Sequence, residues 1–127
     1  MPSLLLDTSV LIDHVRRRDK ASSPLLALVR QGHSLHASIV THTELYSGKS
    51  VWERESAREE LAALFSHIEI IPLDLPISIG AGKLAAAYSM ATLDAIIAAT
   101  ALARAYPLAT LNRRDFLSVR GLKLMDE

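Results

Sequence analysis

Short apolar-rich runs alternate with longer segments of helical spacing along the whole chain, and this alternation constrains the fold more than any other feature. The runs fall at Ser3–Leu6 and at residues 35–37, 68–73 and 107–111, with a last short one at 122–124. A run such as Leu4, Leu5, Leu6 carries apolar side chains to both faces of a strand, so both faces must be covered. Strands that alternate with helices pair in parallel, because each crossover needs the length of a helix. The expected architecture is a three-layer α/β/α sandwich around a central, mainly parallel sheet.

Helices are read between the runs. The segment 9–18 carries apolar Val10, Leu11 and Val15, and Pro24 opens a second helix that Gly32 stops. Others are read at 38–46, with Gly48 beyond, and at 53–67, where charge gives way to Leu61, Leu64 and Phe65. Gly80 and Gly82 weaken the next helix, which residues 84–87 favour. Residues 93–105 form the clearest helical pattern, with Ile96, Ile97, Thr100 and Ala101 on one side.

At 127 residues the chain suits one domain, residues 1–127, and 50% hydrophobic content allows a sizeable, mostly aliphatic core. Lys+Arg and Asp+Glu balance at 14 each, so any nucleic-acid contact must come from a local cluster of cations. The absence of cysteine removes disulfides, thiolate zinc sites and cysteine nucleophiles. No apolar run reaches membrane-spanning or signal-peptide length, so a soluble cytoplasmic protein with no membrane association is expected.

Against this background four acids stand out. Asp7 ends the first apolar run, Glu44 lies in THTEL after the second, Asp94 opens the most apolar helix, and Asp115 follows the run 107–111 in TLNRRDF. Each has an ordinary explanation. Asp7 and Asp94 suit helix N-termini, where an acid is worth about 0.3–1 kcal/mol. Asp115 suits a turn, and Glu44 the wet face of a helix. Taken together they occupy the carboxyl-terminal edge of one parallel sheet, where sites form in such folds. Clustered carboxylates repel, and a divalent cation neutralises them; all-oxygen donors suit Mg²⁺ or Mn²⁺ rather than zinc. Thr8, Ser9, Thr110 and Asn112 lie beside the acids and can position waters or orient carboxylates.

The segments LLLDTSVLID, THTEL, LDAIIAATALA and LATLNRRDF, in that order and across nearly the whole chain, resemble the PIN-domain ribonucleases, and among them the VapC toxins of prokaryotic toxin–antitoxin pairs. The resemblance implies a PIN-like fold and a metal-dependent endoribonuclease. Its catalytic and metal-binding acids would be Asp7, Glu44 and Asp94, with Asn112 or Asp115 in a fourth place; Asp115 is preferred because it is the acid. It implies in-line attack by an activated water on RNA, leaving 5′-phosphate and 3′-hydroxyl ends. It also implies homodimerisation and inhibition by a VapB-type antitoxin seated in a groove beside the site. Tyr46, Val51 and Trp52, with Leu61 and Phe65, are candidates for that groove, although Leu61 and Phe65 suit the core better and Trp52 is the best exposed anchor.

Arg113 and Arg114 are read as RNA contacts because they stand within TLNRRDF. Arg16, Arg17, Arg18 and Lys20 suit a solvated helix end, where cations complement the dipole. The five histidines show no ligand spacing and are read as surface or structural. His42 and Glu44 form an H-x-E pair without the cysteines a zinc deaminase needs. Asp7 lacks the second Asp, two residues on, of a haloacid-dehalogenase-type phosphatase. The alternatives that remain are a PIN-like binding module without catalysis, and a structure-specific or DNA nuclease.

Overall fold

The structure, a computed structural model, describes residues 2–125. Four strands, β1 (Ser3–Leu6), β2 (Ser34–Ser38), β3 (Glu69–Ile71) and β4 (Leu108–Ala109), form one parallel sheet in the order β3-β2-β1-β4. β1 therefore lies inside the sheet, with Leu4 opposite Leu35 on one side and Leu5 opposite Leu108 on the other. The alternation of side chains along β1 builds both cores. Leu4 and Leu6 enter one, with Val10, Leu11, Leu25, Leu61 and Phe65; Leu5 enters the other, with Ile77, Ala81, Ile97 and Phe116.

The first face is covered by α1 (Thr8–Arg16), α2 (Pro24–Arg30), α3 (Ile39–Tyr46), α4 (Lys49–Glu53) and α5 (Glu55–Phe65), and the second by α6 (Leu75–Tyr88) and α7 (Thr92–Arg104). Helices on both faces of a parallel sheet make the three-layer sandwich expected from the sequence. Every residue from Ala95 to Ala101 in α7 is buried, including Thr100, whose hydroxyl donates to the Ile96 carbonyl at 2.7 Å. Buried Ser23 and Ser38 cap α2 and α3, accepting from the backbone N–H groups of Leu26 and Val40 at 3.2 and 3.1 Å. Among the described residues, no helix is long and apolar enough to cross a membrane.

Three elements differ from the sequence reading. The helix expected at 53–67 is α5 and begins at Glu55, because Arg54 is extended (φ −128°, ψ 122°) and parts it from α4, a short helix the sequence reading did not include. Arg58 stabilises this break by donating from its guanidinium to the Val51 carbonyl at 2.9 Å. The strand expected at 107–111 shortens to Leu108–Ala109, since Thr110 and Leu111 turn away to bond with the β1–α1 junction. The last strand, expected at 122–124, reduces to one bridge between Leu108 and Leu124, because so short a β4 offers little backbone for pairing.

Candidate active site

The chain enters the first face from β1 through α1 and the second from β3 through α6, so the crevice beside β1 and β4 is where crossovers part. Ligands bind at such switch points, beyond the carboxyl ends of the strands. Asp7 follows β1 directly and is 3% exposed. It holds the N-cap position of α1, yet its side chain makes no capping bond. Its Oδ2 instead accepts from the hydroxyls of Ser9 at 2.6 Å and Thr110 at 2.8 Å. Both hydroxyls also accept backbone N–H groups: Leu111 donates to Ser9 Oγ at 3.0 Å, and Asn112 to Thr110 Oγ1 at 2.9 Å. The loop after β4 is thereby fastened to the junction carrying Asp7. Oδ1 accepts no hydrogen bond from the described residues, which leaves it available to a ligand.

Glu44 sits in the last turn of α3, half-buried, and accepts from Thr8 Oγ1 at 2.7 Å. With the Thr8 proton so used, the fully buried Thr41 hydroxyl donates to Thr8 across 2.9 Å. A relay from Thr41 through Thr8 to Glu44 therefore fixes the carboxylate. Thr41 was not singled out in the sequence; its signal was its place one turn before Glu44 on the same helix face.

Asp94 lies in the first turn of α7, half-buried, and Asp115 in the exposed 3₁₀ turn Arg113–Asp115. Neither acts as a side-chain cap. The Asp94 carboxyl is raised above the ordinary aspartate range, first by burial and then by the charges of Asp7, Asp115 and Glu44. All four acids singled out in the sequence thus share one field, although 108 residues separate Asp7 from Asp115. A helix N-terminus ordinarily favours a carboxylate, so the rise at Asp94 means that repulsion and burial prevail.

The donor set is entirely oxygen. Among the described residues no three acidic or imidazole side chains converge closely enough to hold an ion unaided. An ion held here would complete its shell with water and substrate, the habit of Mg²⁺, which takes one or two carboxylates and keeps several waters. The residues fit such an ion and do not fit zinc, whose structural sites are closed by four protein ligands.

The neighbouring candidates divide. Asn112 and Arg114 are exposed, whereas Arg113 is half-buried and donates from its guanidinium to the Met125 carbonyl at 2.6 Å. Val51, Leu61 and Phe65 are buried in the first core, so they line no open groove as the chain stands. Trp52 is 63% exposed, held by a 2.7 Å bond from its Nε1 to the Tyr46 carbonyl and by Arg58 over its ring. The histidines are structural where their contacts are defined: His36 is buried against Glu69 at 2.7 Å and stacks on Tyr106, and His42 packs on Tyr46 and Phe65.

A parallel sheet with this order and an acid cluster at its switch point defines a class, and comparison with known proteins gives the family. The PIN domain family model matches residues 4–122. The chain belongs to the PIN domain family. It is 32% identical over 117 residues to Ribonuclease VapC19 of Mycobacterium tuberculosis, covering 88% of this chain and 90% of that protein. Among solved structures it is similar to a toxin–antitoxin complex from Klebsiella pneumoniae, with TM-score 0.76 and 28% identity over 94% of each chain. It shares the fold of VapBC2 from Rickettsia felis bound to a promoter DNA fragment, with TM-score 0.80 and 20% identity over 98% of each chain.

Proposed function

We propose that this chain is a Mg²⁺- or Mn²⁺-dependent endoribonuclease, the toxin half of a VapBC-type pair. The observation that carries the reading is Asp94, whose carboxyl is raised by burial and by Asp7, Asp115 and Glu44 together. A half-buried carboxyl under the charges of three others is an arrangement that a divalent cation relieves. The relatives named ribonuclease VapC19 and toxin–antitoxin complex agree with it.

In this reading Asp7 and Asp94 would hold the ion. A bound divalent ion supplies Lewis-acid stabilisation of a phosphate oxygen and a more acidic water. Glu44, fixed by the Thr41–Thr8 relay, orients the attacking water or a second ion. Asp115 is preferred over Asn112 for the fourth place because its charge reaches Asp94. Ser9 and Thr110 hold the Asp7 carboxylate in one orientation, and Arg114 is free to meet the RNA backbone. The chain works as a homodimer in the cytoplasm, restrained by a VapB-type antitoxin, with exposed Trp52 as an anchor for that partner.

The test is cleavage of labelled transfer and messenger RNA by the purified chain with Mg²⁺, Mn²⁺ or EDTA, beside Asp7→Asn and Asp94→Asn. Metal-dependent cleavage that both variants lose is expected. RNA that survives with every metal, or cleavage that persists in Asp7→Asn, overturns the reading.

A further inference from the structure

Beside the acid site a groove of about 560 Å³ runs between α1 and the loop after β4. Ser9, Leu111 and Asn112 line its inner end, and Asp13, Arg16 and Arg17 its outer end. Ser9 bonds both Asp7 and the Leu111 backbone, so the groove opens directly from the site. From Ser9 to Arg16 the helix climbs about 10 Å, seven residues at the α-helical rise.

The structure separates the four basic residues that the sequence presents as one cluster. Lys20 is committed to the end of α1, donating to the carbonyls of His14, Val15 and Arg17 at 3.2, 2.9 and 3.1 Å. Arg17 grips Asp13 with two bonds, Nε to Oδ2 at 3.0 Å and Nη2 to Oδ1 at 3.1 Å. That pair neutralises the one carboxylate lining the groove, which would otherwise repel an anion. Arg16 is exposed, lines the groove, and has no ion partner among the described residues. Arg18 is exposed but does not line it.

From this arrangement we infer that the groove along α1 is a subsite for the RNA strand beyond the cleaved bond, with Arg16 taking a backbone phosphate and the Asp13–Arg17 pair keeping the floor neutral. The inference rests on the nuclease reading and deepens it: the strand leaves the acids along α1 and meets Arg16 at the outer end of the groove. Guanidinium is suited to this contact because its planar fork matches a phosphate. The selectivity is for single-stranded phosphodiester, since the groove offers a single uncommitted cation rather than a broad basic face.

The experiment measures binding of a labelled single-stranded RNA oligonucleotide across a potassium chloride series with Mg²⁺. Asp94→Asn serves as the background so that the RNA is not consumed, with Arg16→Gln or Arg18→Gln added. Each single-strand phosphate contact contributes about 0.7 to the slope of log affinity against log salt. Arg16→Gln is expected to weaken binding several-fold and lower that slope by about 0.7, while Arg18→Gln leaves the slope unchanged. Cleavage by the unsubstituted chain is followed in parallel. Cleavage with a slope unaltered by Arg16→Gln, or lowered equally by Arg18→Gln, overturns the subsite and leaves the nuclease standing. Neither binding nor cleavage overturns both.

Discussion

Replacing Thr110 with valine puts a methyl in place of one hydroxyl and keeps the branched shape, so what is lost is its hydrogen bonding. The side chain is buried, and its hydroxyl donates to Asp7 Oδ2 at 2.8 Å while accepting from the Asn112 N–H at 2.9 Å. A hydrogen bond to a charged group contributes about 1.5–3 kcal/mol. Asn112 is exposed, so water replaces the acceptor its N–H loses, and that half of the change costs little. Asp7 keeps the Ser9 bond but is 3% exposed, so water does not replace the missing donor. The expected cost is therefore about 2–3 kcal/mol. With a urea m-value of about 1–3 kcal/mol/M, the unfolding midpoint falls by about 0.7–3 M at neutral pH in EDTA. In an Asp7→Ala background the acceptor is gone, and Thr110→Val should cost less than about 0.5 kcal/mol; the difference is the coupling between the two residues. Equal costs in both backgrounds, or a cost under about 0.5 kcal/mol in the native one, would refute the claim that Thr110 exists to hold Asp7.

Asp94→Asn should stabilise the metal-free chain at neutral pH while abolishing cleavage. A carboxyl raised above its unfolded value burdens the fold once ionised, so the gain is present above the raised value and absent below the ordinary one; thermal unfolding in EDTA from pH 7 down to pH 4 should show it shrinking. Saturating Mg²⁺ should raise the melting temperature of the unsubstituted chain, by about 2.7 kcal/mol of added stability at a hundredfold excess over its dissociation constant, and EDTA should reverse the rise; a melting curve indifferent to Mg²⁺ contradicts an ion at these acids. Ala105 ends α7 at φ 56°, a conformation that costs a side-chain-bearing residue about 1–2 kcal/mol. Ala105→Gly should therefore raise stability by about 0.5–1 kcal/mol after the glycine's extra chain entropy is set against that relief; no change in chemical denaturation would argue that neighbouring contacts already absorb the strain.

The strands and the acids were legible because both follow from local chemistry. Leu4–Leu6 cannot be exposed on either face, and an acid directly after such a run sits at a sheet edge whatever the order of the strands. Sheet order was not legible: nothing in residues 107–111 says that they pair with β1, 103 residues earlier, rather than with β3. The break at Arg54 was equally hidden, since it depends on Arg58 reaching back to Val51 and not on any residue that stops helices. Thr41 escaped notice because a buried threonine in a helix has no signature until its partner Thr8 is known. The basic run at residues 16–20 showed charge but not commitment; only the bonds of Arg17 and Lys20 reveal Arg16 as the uncommitted cation. The sequence likewise did not show that part of the Arg113 guanidinium is engaged by the Met125 carbonyl.

The bond between Asp7 and Thr110 spans 103 positions in the chain, and this has a consequence for timing. Ribosomes add about 5–20 residues each second, so several seconds separate the emergence of the first acid from that of the loop which fastens it. Throughout that interval β1 lacks β4 on one side, the Asp7 carboxylate lacks the Thr110 hydroxyl, and Asp115 does not yet exist. With the acids acting as proposed, a growing chain lacks a complete site until the sheet closes. Translation itself acts as a delay line between making this protein and arming it.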